Sequence, residues 1–523
     1  MKDICLNWTI SILTGLFSLF LMTETCFIFK LHVNAFCLPV AVIISVYIII
    51  CGAKTLKSAF AQLIILLDFI LLTGTLCYFI PDFSYDGTTY HQAMIILMKW
   101  GLNPIYNNVA AFTNNQEYVF TSSIPYVENF LKFFEIIGAN IYYVFNKIEL
   151  TKITNYIFML CAFCYSFYTL KNYALSNLKS SFFSFLLIYN PVCICQMLSN
   201  YVDGSLYYMF LILLFALVNY TRGFDNKKSL YLICISTVIL SNLKLTGLFI
   251  ALITGFIFLC LYRSKNVLIS FFIAAALILI TGINPYFTNI KQGRNPFYPV
   301  ITNSIFDANR EFMISSYPKS FENKNRFEKL FISLFAVSKN PSPLMRYNDP
   351  PKLKIPFTIN GDDEFSSEDM RLAGFGYFFS GILLSALILS LFLRFKNSED
   401  KKLFWVIITI ILISVLGNHE AWWARFVPQL WSLPVFVLIF LFINGQKFKI
   451  SYAIAGICVF NSLIINCQYL KYDINETIKD RKNISRYSSV FYISGNIPQK
   501  YHRYETRPIK LQEHGIKVIY TYE

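Results

Sequence analysis

The polar chemistry of this chain is confined to a few short stretches. The densest is Pro81-Asp82-Phe83-Ser84-Tyr85-Asp86-Gly87-Thr88-Thr89-Tyr90-His91-Gln92, directly after a long apolar run. It brings together two carboxylates, two tyrosines and an imidazole. A carboxylate at a membrane surface can take a proton from an acceptor hydroxyl. Paired carboxylates, Asp86 with Asp82 or Asp203, can instead hold a divalent cation such as Mg or Mn that neutralises a diphosphate leaving group. Asp86 also suits the N-cap of a helix beginning at Gly87, and His91 suits contact with lipid headgroups.

Four further stretches offer chemistry. Asn190-Pro191 leads through Gln196, Asn200 and Tyr201 to Asp203-Gly204, where Asp203 reads as a sugar or metal ligand or as ordinary Asp-Gly turn chemistry. Lys244, in Ser241-Asn242-Leu243-Lys244-Leu245-Thr246-Gly247, lies between two apolar runs with no room for a loop. Such a lysine must face water, a phosphate or a carboxylate, or snorkel to the interface. Asn284-Pro285-Tyr286, followed by Arg294, is either a substrate contact or a helix-ending turn. Last comes Asn418-His419-Glu420-Ala421-Trp422-Trp423-Ala424-Arg425-Phe426. Its tryptophans suit an aromatic belt, and Arg425 suits a bidentate grip on phosphate oxygens. Two acids, Glu24 and Asp68, fall within apolar runs. An ionised Asp68 near the middle of a span is costly and argues for a transporter or proton relay.

The elements that position these residues follow from composition. The 523 residues are 56% hydrophobic and 14% charged, with a mean hydropathy of +0.51. Soluble domains carry roughly 25% charged residues, so the solvent for this apolar surface is lipid. A membrane helix needs ~20 mostly apolar residues. Thirteen segments qualify, at about 8–29, 33–53, 58–80, 153–170, 181–200, 204–221, 229–244, 246–262, 266–284, 372–393, 403–418, 427–444 and 450–467. The first has no cleavage site and reads as a retained span. The predicted fold is an all-α polytopic membrane domain over 1–467, followed by an extramembrane tail over 468–523.

Basic residues cluster on alternate connections: Lys54/Lys57, Lys171/Lys179, Arg222/Lys227/Lys228, Arg263/Lys265, Arg394/Lys396/Lys401/Lys402 and Lys447/Lys449. The positive-inside rule places these, with the N-terminus, in the cytoplasm. The formal charge of +15 is therefore topological and implies no nucleic-acid partner. Asp86, Asp203, Lys244, Asn284, Glu420 and Arg425 all fall on the opposite, outer face. Two large outer segments result, 81–152 and 285–371. Helical periodicity over 88–100 and 127–145, the latter with Glu128, Lys132 and Glu135 on one face, predicts two amphipathic helices lying on the membrane surface. The proline-rich second segment predicts turns and irregular chain, and the tail has short β-like runs at 490–493 and 518–522. The 13 cysteines lie mainly within apolar runs without paired metal spacing.

On these motifs the chain resembles the GT-C superfamily of integral membrane glycosyltransferases, especially bacterial members that use polyprenyl-phosphate-linked sugars. The carrying residues are Tyr85-Asp86-Gly87 with Tyr90-His91-Gln92, Trp100 through Pro104, Asn190-Pro191 with Asp203-Gly204, Lys244 through Gly247, Asn284-Pro285-Tyr286 with Asn295 through Pro299, and Ala424-Arg425-Phe426. The resemblance implies an essential acid at Asp86, with Asp82 in reserve, and a polyprenyl-phosphate sugar donor. The acceptor would be a lipid-linked glycan, a lipid, a protein or a cell-envelope polymer. On this reading His91 and Tyr90 orient the acceptor or Asp86, and Arg425 and Lys244 bind the donor phosphate. Asp203, Asn284, His419 and Glu420 contact substrate. The chain departs from the family in placing the acidic segment after the third span rather than the first, and it lacks an Asp-Glu pair. The competing readings are an O-antigen-type polymerase or ligase, and a flippase or transporter centred on Asp68 and Glu24.

Overall fold

The computed structural model describes residues 1–113, 124–301, 317–341, 350–446, 448–486, 490–494 and 506–521. Lys447 of the charge pattern and residue 522 of the last β-like run lie outside them. The chain is an all-α membrane protein. Among the described residues, six helices are long and apolar enough to cross a membrane: Lys2–Ile28, Leu56–Phe79, Ile148–Asn172, Asp203–Thr221, Leu245–Tyr262 and Lys449–Arg486. A seventh span results if the bent pair Lys265–Thr281 and Ile283–Lys291 is counted as one. Each of the thirteen expected segments contains a helix, but several of these helices are short.

The bundle has a core and a lipid face. Asp203–Thr221 is buried from Asp203 through Asn219 and lies between Ile153–Asn172 and Asn226–Leu243. A helix that is apolar all round belongs in such a core. At the margin, Leu56–Phe79 exposes Phe60, Ile64, Leu67 and Leu71, and Asp68 is exposed on the same helix. Glu24 is buried. The expected span 181–200 is not one helix: Asn177–Ile188 stops, and Pro191, which has no N–H to continue the ladder, opens the short turn Pro191–Ile194 under an Asn190 cap. The chain then stays buried through Asp203.

The segment 81–152 corrects the picture of surface-lying helices. Gln92–Lys99 and Phe133–Phe145 pack on each other, and Ile95, Ile96, Phe134 and Ile137 have no exposed surface. Glu128, Lys132 and Glu135 are buried too. They find polar partners inside the protein: Glu135 pairs with His91, Asn108 Nδ2 donates to Glu128 Oε1 at 2.9 Å, and Lys132 Nζ donates to the carbonyls of Glu128 and Phe130 at 2.9 and 2.7 Å. Burial, against nearby Glu135 and Glu24, lowers the Lys132 ammonium to about 8. The described residues of this segment form a layer packed against the bundle.

The segment 285–371 is more ordered than its prolines suggest. It contains the helix Arg326–Phe335 and a short parallel pairing of Lys339–Asn340 with Glu364–Phe365. The helix Lys449–Arg486 runs unbroken past residue 467. In the tail, Val490–Ser494 pairs in parallel with Lys517–Thr521, the small sheet that the β-like runs predict. The tail returns to the 81–152 layer. Thr506 Oγ1 donates to Gln92 Oε1 at 2.9 Å, Lys510 Nζ to the Asp82 carbonyl at 3.0 Å, and the Ile148 N–H to Glu513 Oε1 at 3.1 Å. The tail therefore lies at the same end of the bundle as Asp86.

Candidate functional site

Arg425 sits in the short turn Ala424–Phe426. That turn is fixed by N–H bonds from Ala424 and Arg425 to the carbonyls of Arg371 and Met370, at 3.1 and 2.9 Å. The guanidinium is only 8% exposed and meets three carboxylates from separate parts of the chain. Nη1 donates to Asp86 Oδ2 at 2.7 Å and lies 4.0 Å from Asp203 Oδ2. Nε is 2.9 Å from Asp369 Oδ1, an ion pair without hydrogen-bond alignment. Trp423 Nε1 donates to that same oxygen at 2.6 Å, and Arg371 holds the other at 3.1 and 2.9 Å. Lys244 Nζ donates to Asp203 Oδ1 at 2.6 Å and stands 4.9 Å from the centre of the Phe426 ring. Three aspartates thus face three cations, Arg425, Lys244 and Arg371, so the cluster is balanced.

The turn that carries Asp86 is built by Asp82. Asp82 Oδ1 accepts from the N–H and hydroxyl of Ser84 at 2.8 and 2.5 Å, and Oδ2 accepts from the Asn200 N–H at 2.7 Å. A Cβ on Gly87 would lie 2.4 Å from Asp82 Oδ2 and 2.2 Å from Ser84 Oγ, so a larger residue there would push this brace out of place. With both oxygens engaged, Asp82 braces this turn. Burial pushes its carboxyl above the usual range, against Lys510. Asp86 makes no capping bond to the helix after it; its carboxylate is committed to Arg425 instead, and the N-cap alternative falls. Burial pushes Asp86 up, but Arg425 and then Lys244 outweigh it and hold the carboxyl below its ordinary value. Tyr90 hydrogen-bonds to Asp86, and burial with that neighbouring charge raises the phenol well above its usual range.

The other expected residues divide. His91 is buried, pairs through Nδ1 with Glu135, and lies with its ring 4.4 Å from that of Tyr90. It supports Tyr90 and does not touch Asp86. Asn284 donates to the Pro104 carbonyl at 2.9 Å and to Thr288 Oγ1 at 3.1 Å, which pins a turn. Glu420 belongs to a different cluster: it accepts from Trp422 Nε1 at 2.7 Å and contacts Tyr317 and the exposed His419. His419 and Glu420 are therefore not brought to Arg425. The tryptophans are not an interfacial belt, since both are 1% exposed. Trp423 is held by the Arg371 guanidinium 4.0 Å from its ring and by Arg425 at 5.3 Å, which makes its burial favourable.

Beside the cluster lies a cavity of about 110 Å³. Its wall is mostly aromatic and aliphatic, with Tyr90, Phe130, Phe249, Tyr286 and Phe297, and Lys244 is its cation. Tyr90 and Lys244 link it to the carboxylates, through Asp86 and Asp203 respectively.

No family model, curated protein or solved structure matches this chain. The chemistry must therefore be read from the cluster itself. A buried arginine and a part-exposed lysine beside an apolar cavity can receive an anion carried on a lipid. Asp86 and Asp203, the expected ligands of a divalent cation, are each paired here with a cation of the protein, Arg425 and Lys244. Among the described residues no three His, Cys, Asp or Glu side chains converge for one.

Asp369 and Arg371 complete the site and were not singled out from the sequence; Trp423, expected in an aromatic belt, joins them. The available signal was Asp369-Met370-Arg371 set directly before the apolar run at 372. Opposite charges abutting a span, with no loop between, need a partner at the membrane boundary.

Proposed function

We propose that this chain is a GT-C-type membrane glycosyltransferase that moves a sugar from a polyprenyl-phosphate donor to a lipid-linked glycan, lipid or other cell-envelope acceptor. On this reading it is a multi-pass protein of the cytoplasmic membrane, with about thirteen spans, a cytoplasmic N-terminus and the Arg425 cluster on the outer face. The observation that carries the reading is the junction of Asp86 with Arg425 and Lys244 at the edge of an apolar cavity. The cavity suits the first isoprene units of a lipid tail, and the two cations suit its phosphate.

The chain's groups divide the chemistry. Arg425 and Lys244 bind the donor phosphate and stabilise the charge that grows on it as the bond from the anomeric carbon to the phosphate oxygen breaks. The acceptor oxygen attacks that carbon from the opposite side, with inversion, and Asp86 takes its proton. Polyprenyl phosphate leaves. In the resting cluster Asp86 is a weak base, because Arg425 lowers its pKa. A phosphate that draws the guanidinium away removes that effect and leaves burial, which raises it. Donor binding thus turns Asp86 into a better base where the acceptor must be deprotonated. Asp369, Arg371 and Trp423 hold Arg425 in place.

Incubating the purified protein with a panel of polyprenyl-phosphate sugars and candidate acceptors tests the proposal. Release of polyprenyl phosphate with at least one donor is expected. A protein that binds polyprenyl phosphate but releases none across the panel contradicts the reading.

A further inference from the structure

The helix Arg326–Phe335 is apolar on two sides. Inward, Leu330, Ile332 and Leu334 pack on the core beside the buried Lys329 and Ser333. Ser333 Oγ donates to the Trp422 carbonyl at 2.6 Å, and Lys329 lies over the Tyr317 ring at 4.2 Å. Outward it shows Phe327 and Phe331, 53% and 58% exposed and one helical turn apart, beside the exposed Arg326 and Glu328. A helix with water on its outer side would keep such rings on its inner stripe. The chain at 352–359 joins this face. The Lys354 N–H bonds to the Phe335 carbonyl and the Val337 N–H to the Lys352 carbonyl, both at 2.8 Å. It adds Leu353, Ile355 and Ile359, each at least 60% exposed.

This apolar surface continues into the short apolar helix Phe379–Leu391. The Phe357 ring packs on Gly381, so closely that a Cβ there would lie 2.5 Å away. Gly381 lies in the first turn of Phe379–Leu391, which further along exposes Leu384, Leu387 and Ile388. The exposed charges of the lobe are of both signs: Lys319, Arg326 and Lys352 against Glu322, Glu328, Asp362 and Glu364. Attraction to the bilayer would therefore be apolar rather than an affinity for anionic lipid.

We propose that this lobe is immersed in the membrane on the Arg425 side, with Phe327, Phe331, Leu353 and Ile355 at the boundary between headgroups and acyl chains. An amphipathic segment buries its apolar face there to a depth of about 5–10 Å. The occupant of the surface is phospholipid, and a zwitterionic bilayer suffices. Because Ser333 also accepts from the Ala373 N–H at 3.2 Å, the immersed lobe is tied on both sides to the chain that carries Arg371 and Trp423.

The test uses the full chain in phosphatidylcholine bilayers with and without lipid brominated on the acyl chains. Phe331→Trp and Ile355→Trp each add one fluorophore to the parent signal, and Glu322→Trp is the control on the polar side. The account predicts that bromolipid removes most of the added emission at 331 and 355 and little at 322. Added emission that is water-like and unquenched at both positions overturns it. So does added emission that is shielded from water but unquenched, with two copies per bilayer particle, since the surface would then be covered by a second copy. Both readouts are independent of any transfer activity.

Discussion

Replacing Arg425 by methionine should do more than delete a cation, and the geometry says which carboxylate suffers. Asp203 keeps Lys244 at 2.6 Å, and Asp369 keeps Arg371 at 2.9 Å and Trp423 at 2.6 Å. Asp86 keeps only the Tyr90 hydroxyl and the more distant charge of Lys244. Breaking a buried pair by removing one partner costs about 3–5 kcal/mol, so Arg425→Met should destabilise by that amount, chiefly through a stranded Asp86. Adding Asp86→Asn removes the stranded charge and should restore part of the loss, which makes the double variant more stable than Arg425→Met alone. The pH dependence should invert as well. In the native chain the folded pKa of Asp86 is lowered, so its contribution is full above the unfolded pKa of ~3.9 and is lost as pH falls through the folded value. Without Arg425, burial raises the folded pKa, and Arg425→Met should gain stability as pH falls towards the ordinary carboxylate range. Unfolding by SDS in mixed micelles at several pH values reads both effects. Additive destabilisation in the double variant, with no pH inversion, would refute the assignment of Asp86 as the dependent carboxylate.

Asp369→Asn should cost about 3–5 kcal/mol, because the buried Arg371 and Arg425 lose the carboxylate charge that both pair with; unfolding in the same micelles measures it, and a neutral result would remove Asp369 from the cluster. Lys510 Nζ also lies 2.7 Å from Glu149 Oε1, so Lys510→Ala should loosen the tail's hold on Asp82 and Glu149, read as faster hydrogen exchange at residues 147–149 with little change in the Asp203–Thr221 core. His419, whose side chain is 79% exposed, should be dispensable: His419→Ala is expected to stay within about 0.5 kcal/mol of the parent and to leave transfer rates unchanged.

Composition and run length were enough to read a helical membrane protein, because lipid as solvent leaves a blunt signature. Placing Asp86, Asp203, Lys244 and Arg425 at one end was also legible, since basic connections fix alternation even when helix ends are uncertain. Periodicity misled over 127–145. A stripe containing Glu128, Lys132 and Glu135 shows that one face is polar, and it cannot distinguish water from His91 and buried carbonyls as the partner of that face. The junction itself is a contact across 339 positions of chain, and no local pattern encodes it. The resemblance ranks Asp86 ahead of Asp82, but no local pattern in the sequence separates their surroundings. They differ because Asn200 and Ser84 occupy the oxygens of one, while Arg425 occupies the other.

The most direct test of the central claim compares initial rates of polyprenyl-phosphate release for Asp86→Asn and Asp68→Asn, in protein shown to bind polyprenyl phosphate. The account predicts that Asp86→Asn loses on the order of 10²-fold or more, as expected for a missing general base, while Asp68→Asn, altered on the lipid face, stays near the parent rate. Transfer that survives in Asp86→Asn and disappears in Asp68→Asn would contradict it.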